Sequence, residues 1–244
     1  MRPLDSGDLE ALALLAGASI LAGFVRGFAG FGGPATLTLM LANLFTPATL
    51  LPKVAVVDFC SYPSLLLNVR RDVHWRFVVA LSVPVMAMVP VGVLALPVLD
   101  PALLKRAIGV VSIASVAVLM AGWRLSRPTP APVVFPIGLA LGFVLGTTYI
   151  ALPAMAFILM QPFDATRCRA TIIVFSVFLG PIYLGAVLVE GLLRWGDVLP
   201  LAAVGLVYLG TANIGARVFR RAGERGYRHA AHWLLLVLAA TALL

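Results

Sequence analysis

Charged residues in this chain come in short runs, and long uncharged stretches separate them. Phe77–Leu99 holds 23 residues without Asp, Glu, Lys or Arg; Ala170–Val189 holds 20, Val198–Ala216 holds 19 and Pro128–Phe163 holds 36. A helix needs about 20 consecutive apolar residues to cross the hydrocarbon core of a bilayer. The pattern therefore predicts an all-α polytopic membrane protein. A soluble helical core is the alternative, but it would lack polar surface. Only 11% of the 244 residues are charged, where soluble domains carry roughly 25%.

One stretch departs from the pattern. Gly23 to Ala35 reads GFVRGFAGFGGPA and puts five glycines, an arginine and a proline into the first apolar segment. Glycine permits backbone angles that other residues avoid. Proline suits the first turn of a new helix, where its missing N–H costs nothing. A helix break is expected here. The stretch has an echo 119 residues later, where Gly142-Phe143-Val144-Leu145-Gly146 and Pro153-Ala154 repeat its glycines and proline in register. Pro47-Ala48-Thr49 before Lys53 is likewise answered by Asp164-Ala165-Thr166 before Arg169. The chain reads as two homologous halves. The expected division is a first membrane repeat at 1–123, a cytoplasmic linker at 124–132 and a second repeat at 133–244. Each half has a broken unit followed by three ordinary spans.

Loop charges bear on the topology. Eight plain crossings would put the basic loops Asn68–Arg76 and Arg217–Arg228 on opposite sides, against the tendency of basic loops to stay cytoplasmic. The conflict disappears if each broken unit enters and returns as a hairpin. Ala11–Val25 then goes in and Pro34–Phe45 comes back, and Val133–Leu145 goes in and Ile150–Gln161 comes back. Three crossings per half then turn the second repeat upside down. Inverted repeats whose discontinuous segments meet near the midplane recur among transporters. Six spans with two hairpins are the expectation, and eight plain transmembrane helices are the alternative. The acidic start, with Asp5, Asp8 and Glu10 against Arg2, does not resemble a cleaved signal peptide. It reads as a mature N-terminus outside the cytoplasm.

The formal charge of +8 changes little, because no long basic run exists. The cluster Arg217–Arg228 reads as a loop beside anionic lipid, and no nucleic-acid partner is expected. Cys60 and Cys168 form no CxxC pair, and His74, His229 and His232 sit at tract edges. No metal or other cofactor is expected. The glycine run is GxxGxGG rather than GxGxxG, with no Walker lysine after it, so nucleotide binding has no support.

Several polar residues stand out as site candidates. Arg26 lies within an apolar unit, where a charge is expensive and usually functional. Its planar fork suits carboxylate, sulfonate or sulfite oxygens. The alternative is a guanidinium that snorkels or caps a helix. Gly30, Gly32 and Gly33 would leave N–H groups bare beside a new helix N-terminus, where an anion could sit. The matching break, Gly146-Thr147-Thr148-Tyr149, offers hydroxyls from Thr147, Thr148 and Tyr149 to a substrate, or back to its own preceding turn. Lys53 and Arg169 are candidate anion contacts or interfacial anchors. Asn213 is a candidate substrate contact or a bridge between helices. Asp58 has only apolar or small neighbours in sequence. It could carry a coupling proton, or pair structurally with Lys53 or Arg26.

The duplicated plan, the GFVRGFAGFGGPA unit and Arg169-Ala170-Thr171 together resemble the sulfite exporter TauE/SafE family, also called the toluene sulfonate uptake permease family. The resemblance covers nearly the whole chain. It implies a secondary transporter in the bacterial inner membrane, not an enzyme. It also implies a small organic or sulfur-containing anion as substrate, such as sulfite or a sulfonate, with the proton as a proposed coupling ion. The second unit reads Gly-Thr-Thr-Tyr-Ile-Ala-Leu-Pro, without the glycine cluster often found there, which leaves substrate identity open. The expected mechanism is alternating access around a site shared by the two broken units. An anion channel and a non-transporting scaffold subunit are the rival readings. The expected partners are the anion, protons and membrane lipid, and the oligomeric state is not legible.

Overall fold

The structure, a computed structural model, describes residues 9–42, 44–67 and 73–243, and side chains as far as Phe219 apart from those of Val116, Leu119, Met120 and Ala165. The described residues form helices α1 (Leu9–Ala29), α2 (Gly33–Leu41), α3 (Pro47–Phe59), α4 (Tyr62–Leu67), α5 (Trp75–Ala95), α6 (Pro101–Ala121), α7 (Ala131–Thr148), α8 (Leu152–Leu159), α9 (Ala165–Val189) and α10 (Trp195–Leu243). Among the described residues, five helices are long and apolar enough to cross a membrane: α1, α5, α7, α9 from Thr166, and the Trp195–Phe219 part of α10. The chain is an all-α polytopic membrane protein.

Both broken units are helix, break, short helix. α1 ends where Gly30 takes φ 81°, and α2 begins behind Gly32 at φ 83° with Pro34 in its first turn. A residue with a Cβ would be strained at either glycine. In the second unit the left-handed residue is Tyr149 at φ 52°, which closes α7, and Pro153 sits in the first turn of α8. Tyr149 occupies the position that the 119-residue offset matches to Gly30. Its amide still reaches the Leu145 carbonyl at 2.8 Å, which ends α7 on a bonded turn.

The short helices turn back into the protein. α2 packs on α1. A Cβ placed on Gly33 would stand 3.0 Å from the Ala22 carbonyl oxygen, so α2 starts beside the last turns of α1 rather than beyond its end. α8 packs on α6 and α9. Its C-terminal neighbour Gln161 accepts from the Thr129 amide at 3.0 Å and donates to Thr129 Oγ1 at 3.0 Å, and the Leu125 amide donates to the Met160 carbonyl at 2.7 Å. The end of α8 therefore lies beside the segment that leads into α7. α7 itself starts at Ala131, inside the expected linker.

Two places differ from the sequence reading. The first ordinary span of the first half is itself interrupted: α3 has 13 residues, and the chain restarts as α4 after Ser61. Pro63 can supply no ladder N–H, and the Ser61 hydroxyl donates to the Asp58 carbonyl at 2.7 Å. Asp58 is thus held in the last turn of a short helix. The expected loop Arg217–Arg228 is instead helical, within the continuous α10. Arg, Ala and Glu are good helix formers, and a run of charge does not by itself break a helix. The expected loop Asn68–Arg76 lies largely outside the described residues.

The largest helix contacts are α1 on α10 and α5 on α7, so each long broken-unit helix packs on an element of the other half. Glycines make both contacts close. Gly23 and Gly27 face the backbone of Tyr208 and Ala212, while Gly142 and Gly146 face the Val85 and Val89 carbonyls. These are small-residue contacts of the kind that bring membrane helices together. A Cβ at Gly27 would collide with the Ala212 carbonyl and stand 2.7 Å from its Cα, while Gly17 on the same helix has nothing within 4 Å. Gly27→Ala is expected to cost about 1–3 kcal/mol, as overpacking does, and Gly17→Ala to be neutral or slightly stabilising. Thermal unfolding of the two detergent-solubilised variants, followed by size-exclusion fluorescence, checks the contrast.

Candidate functional site

Arg26 stands in the last turn of α1, 2% exposed, and is held there by the break that follows it. Its Nη1 donates to the Gly30 carbonyl at 2.8 Å and to Ser176 Oγ on α9 at 3.4 Å. Its Nε lies 3.1 Å from Asp58 Oδ1. That contact is a charge pair without an aligned hydrogen bond, because Nε has no hydrogen-bond partner by geometry. Nη2 is buried and has no hydrogen-bond partner. The Tyr62 ring centroid lies 5.5 Å from the guanidinium carbon.

Asp58 is equally buried, 2% exposed. Two tyrosines donate to it. Tyr208 of α10 reaches Oδ1 at 2.7 Å, and Tyr62 of α4 reaches Oδ2 at 2.9 Å. A buried carboxylate needs such partners, since an unpaired charge in an apolar interior costs several kcal/mol. Tyr208 also explains Gly33, because a Cβ there would collide with the Tyr208 hydroxyl. Helix α10, from the second half, thus closes on the break of the first.

The two breaks share one small cavity of about 20 Å³. Gly32, Pro34 and Ala35 line it from the first unit, and Tyr149, Ala151 and Leu152 from the second. Arg26, Asp58, Tyr62 and Ser176 complete its polar wall. Its volume suits about one water molecule. The first amides of α2 precede its hydrogen-bonded ladder, whose bond to the Gly32 carbonyl comes from Thr36 at 2.8 Å. Those amides put the positive end of α2 at the cavity wall. Behind Tyr149 stands Tyr183, with ring centroids 4.3 Å apart. A larger pocket of about 370 Å³ opens at the N-termini of α5 and α9, lined by His74, Arg76, Asp164 and Arg167. It contains none of the candidate residues and no buried charge.

The remaining candidates fall elsewhere. Thr147 Oγ1 donates to the Phe143 and Val144 carbonyls, and Thr148 Oγ1 donates to Val144 and accepts from the Ile150 amide. Both hydroxyls serve their own helix end, and neither lines the cavity. Lys53 pairs with Asp197 of α10 at 3.2 Å, not with Asp58. Arg169 donates from Nη2 to the Gly27 carbonyl at 3.0 Å and lies over Phe219 at 4.3 Å. It abuts Gly30 from behind the break, so it caps the negative end of α1. Asn213 is half-buried on α10 and away from the cavity. Gly30 closes α1 and presents its carbonyl to Arg26. Tyr62, Tyr208 and Ser176 were not singled out from sequence. Their only signal is a hydroxyl inside an uncharged tract, and many such hydroxyls merely bond their own turn.

The family model described as Sulfite exporter TauE/SafE matches residues 15–242. The chain belongs to that family. Neither a curated protein nor a solved structure matches it. Proteins of this family are multi-pass transporters of the bacterial inner membrane and not enzymes. The chain is accordingly a membrane transporter that moves an anion.

Proposed function

Starting from membership of the sulfite exporter TauE/SafE family, we propose that this chain is an alternating-access carrier whose anion site is the cavity between the two helix breaks. One observation carries the reading: a fully buried guanidinium lines that cavity with Nη2 unpartnered. A buried donor left without an acceptor is costly, and an oxyanion would supply one. The α2 amides near Gly32 and Gly33 favour negative charge at the same place. Tyr149 faces them from the second half. Sulfite or a small sulfonate is the substrate class, because a compact head with several oxygens can meet Arg26 and the amides together once the two breaks part and widen a cavity that here holds about one water. Thr147 and Thr148 hold the second break in shape, Arg169 fixes the first, and Lys53 with Asp197 ties α3 to α10.

The two units act as inverted repeats, each entering and returning. The return of α8 to the start of α7 supports this, as does the packing of α2 back on α1. The crossed pairing of α1 with α10 and of α5 with α7 supports two related halves that move against each other. Discontinuous helices with a site between repeats are the general plan of such carriers.

Counterflow tests the reading. Proteoliposomes loaded with unlabelled sulfite are expected to accumulate labelled sulfite transiently, faster than empty ones and with saturation. Uptake that is linear in concentration and indifferent to internal sulfite would mean a channel. Sulfite flux equal to that of protein-free vesicles would overturn the carrier reading for this anion.

A further inference from the structure

The cavity wall carries a charge balance that the carrier reading does not use. Arg26 and Asp58 are a neutral pair, each 2% exposed. Among the described residues no other charged side chain lines the cavity. Arg169, also at the break, is turned to the Gly27 carbonyl and the Phe219 ring. A monoanion entering this place would leave one net negative charge in a buried, low-dielectric site. Such a charge is neutralised rather than tolerated.

We propose that Asp58 is an internal stand-in for the transported anion: the substrate takes over its pairing with Arg26, and one proton from solution joins the Asp58 carboxylate as the substrate enters. The proposal rests on the anion-site reading above and adds its coupling. The balance is simple. A carboxylate and a proton give a neutral carboxyl group, so Arg26 with the bound monoanion is neutral again. One proton moves with each anion, and no net charge crosses.

The geometry suits the exchange. The Nε contact to Oδ1 is not an aligned hydrogen bond, so the aspartate does not hold Arg26 in the two-point fork that would make it hard to displace. The carboxylate has two further partners to keep once Arg26 leaves it. Oδ1 retains Tyr208, which is wedged against Gly33. Oδ2 faces Tyr62, which lines the cavity where Tyr208 does not. A tyrosine hydroxyl can donate or accept. Tyr62 therefore donates to the carboxylate, and by rotating its hydroxyl it accepts from the protonated acid. It is a positioning residue for the proton on Oδ2.

Among the described residues, the titratable groups around Asp58 are few. They are Arg26 from α1, Tyr62 from α4, Tyr208 from α10, Tyr149 from the second break, and Cys60 at the end of α3 itself. α2 has no titratable side chain. From α9, Ser176 meets Arg26, and Arg169 faces the other side of the break. Asp58 is the one carboxylate among these groups, and with Tyr62 and Tyr208 on its two oxygens it is the one placed to receive a proton when Arg26 leaves it.

The sign follows from linkage. Binding that takes up one proton weakens as pH rises, tenfold per pH unit above the midpoint. Methanesulfonate is a suitable probe because it stays a monoanion throughout, so any pH slope belongs to the protein. Its binding and that of sulfite would be measured calorimetrically on the purified protein, across pH and in buffers of different ionisation enthalpy. The wild type is expected to take up one proton per methanesulfonate. Asp58→Asn is expected to take up none and to bind with no pH slope. Tyr62→Phe removes a donor that favours the charged form more than the neutral one. It is expected to keep the slope and move the midpoint up by about one pH unit, which is about tenfold tighter binding on the alkaline side. This variant keeps the test open if Asp58→Asn does not fold. Binding without proton uptake, uptake that persists in Asp58→Asn, or an unmoved midpoint in Tyr62→Phe would overturn the coupling while leaving the Arg26 site intact. Undiminished binding in Arg26→Gln, or no binding of either anion to the wild type, would overturn the site reading itself.

Discussion

Arg26→Gln is expected to reduce sulfite counterflow by at least about 100-fold, and Arg26→Lys to recover little of it. The guanidinium supplies both the charge and the unpartnered Nη2 at the cavity. A hydrogen bond to a charged group is worth about 1.5–3 kcal/mol, and here it acts together with the only cation that lines the site among the described residues. Lysine keeps the charge but not the fork. It cannot meet the Gly30 carbonyl, Ser176 and an anion from one planar group, as Arg26 can. Folding is expected to survive in Arg26→Gln. Asp58 retains Tyr62 and Tyr208, and a carboxyl without its cation can protonate rather than stay charged. Counterflow with size-exclusion of the same preparations separates lost transport from lost folding. Exchange near the wild-type rate in folded Arg26→Gln would remove the arginine from the site.

Gly33→Ala is the second large effect. The added methyl would collide with the Tyr208 hydroxyl and stand 2.8 Å from Arg26 Cβ. One atom thus pushes on the aspartate's donor, on the arginine's stem and on the start of α2. The expected result is a loss of stability of about 1–3 kcal/mol, with exchange reduced by more than stability alone explains. Tyr208→Phe removes the atom that the methyl meets. The double variant is therefore expected to be more stable than the sum of the two singles, a coupling of the kind contacting residues show. Thermal midpoints of the four proteins measure it. Strictly additive midpoints would mean that Gly33 and Tyr208 do not share this contact.

Local constraints made part of this structure legible. Glycines beside a proline leave few backbone choices, so the break at Gly30–Gly32 could be placed without knowing what surrounds it, and the 119-residue echo carried the reading to the break before Pro153. The long uncharged tracts likewise marked the candidate spans. What distant residues decide was not legible. Asp58 had Lys53 and Arg26 as possible structural partners. Lys53 is taken by Asp197 across the halves, which leaves Asp58 to Arg26. Tyr208 lies 150 positions from Asp58, and nothing in its own tract distinguishes it from a tyrosine facing lipid headgroups. Thr147 and Thr148 show the opposite limit. Their hydroxyls had a local acceptor in the preceding turn, and that acceptor has them. At Arg217–Arg228 a run of charge was read as a loop, yet the residues that carry it also favour helix, and α10 runs through.

The central claim is that an anion binds between the two breaks, on Arg26. Selenite tests it most directly, because it resembles sulfite in shape and its selenium scatters anomalously. Crystals would be grown with selenite after confirming that it competes with sulfite in exchange. The account expects an anomalous peak beside Arg26 Nη2, flanked by the first turn of α2 and by Tyr149. A peak at another place, with the Arg26 cavity empty while selenite competes for transport, would contradict it.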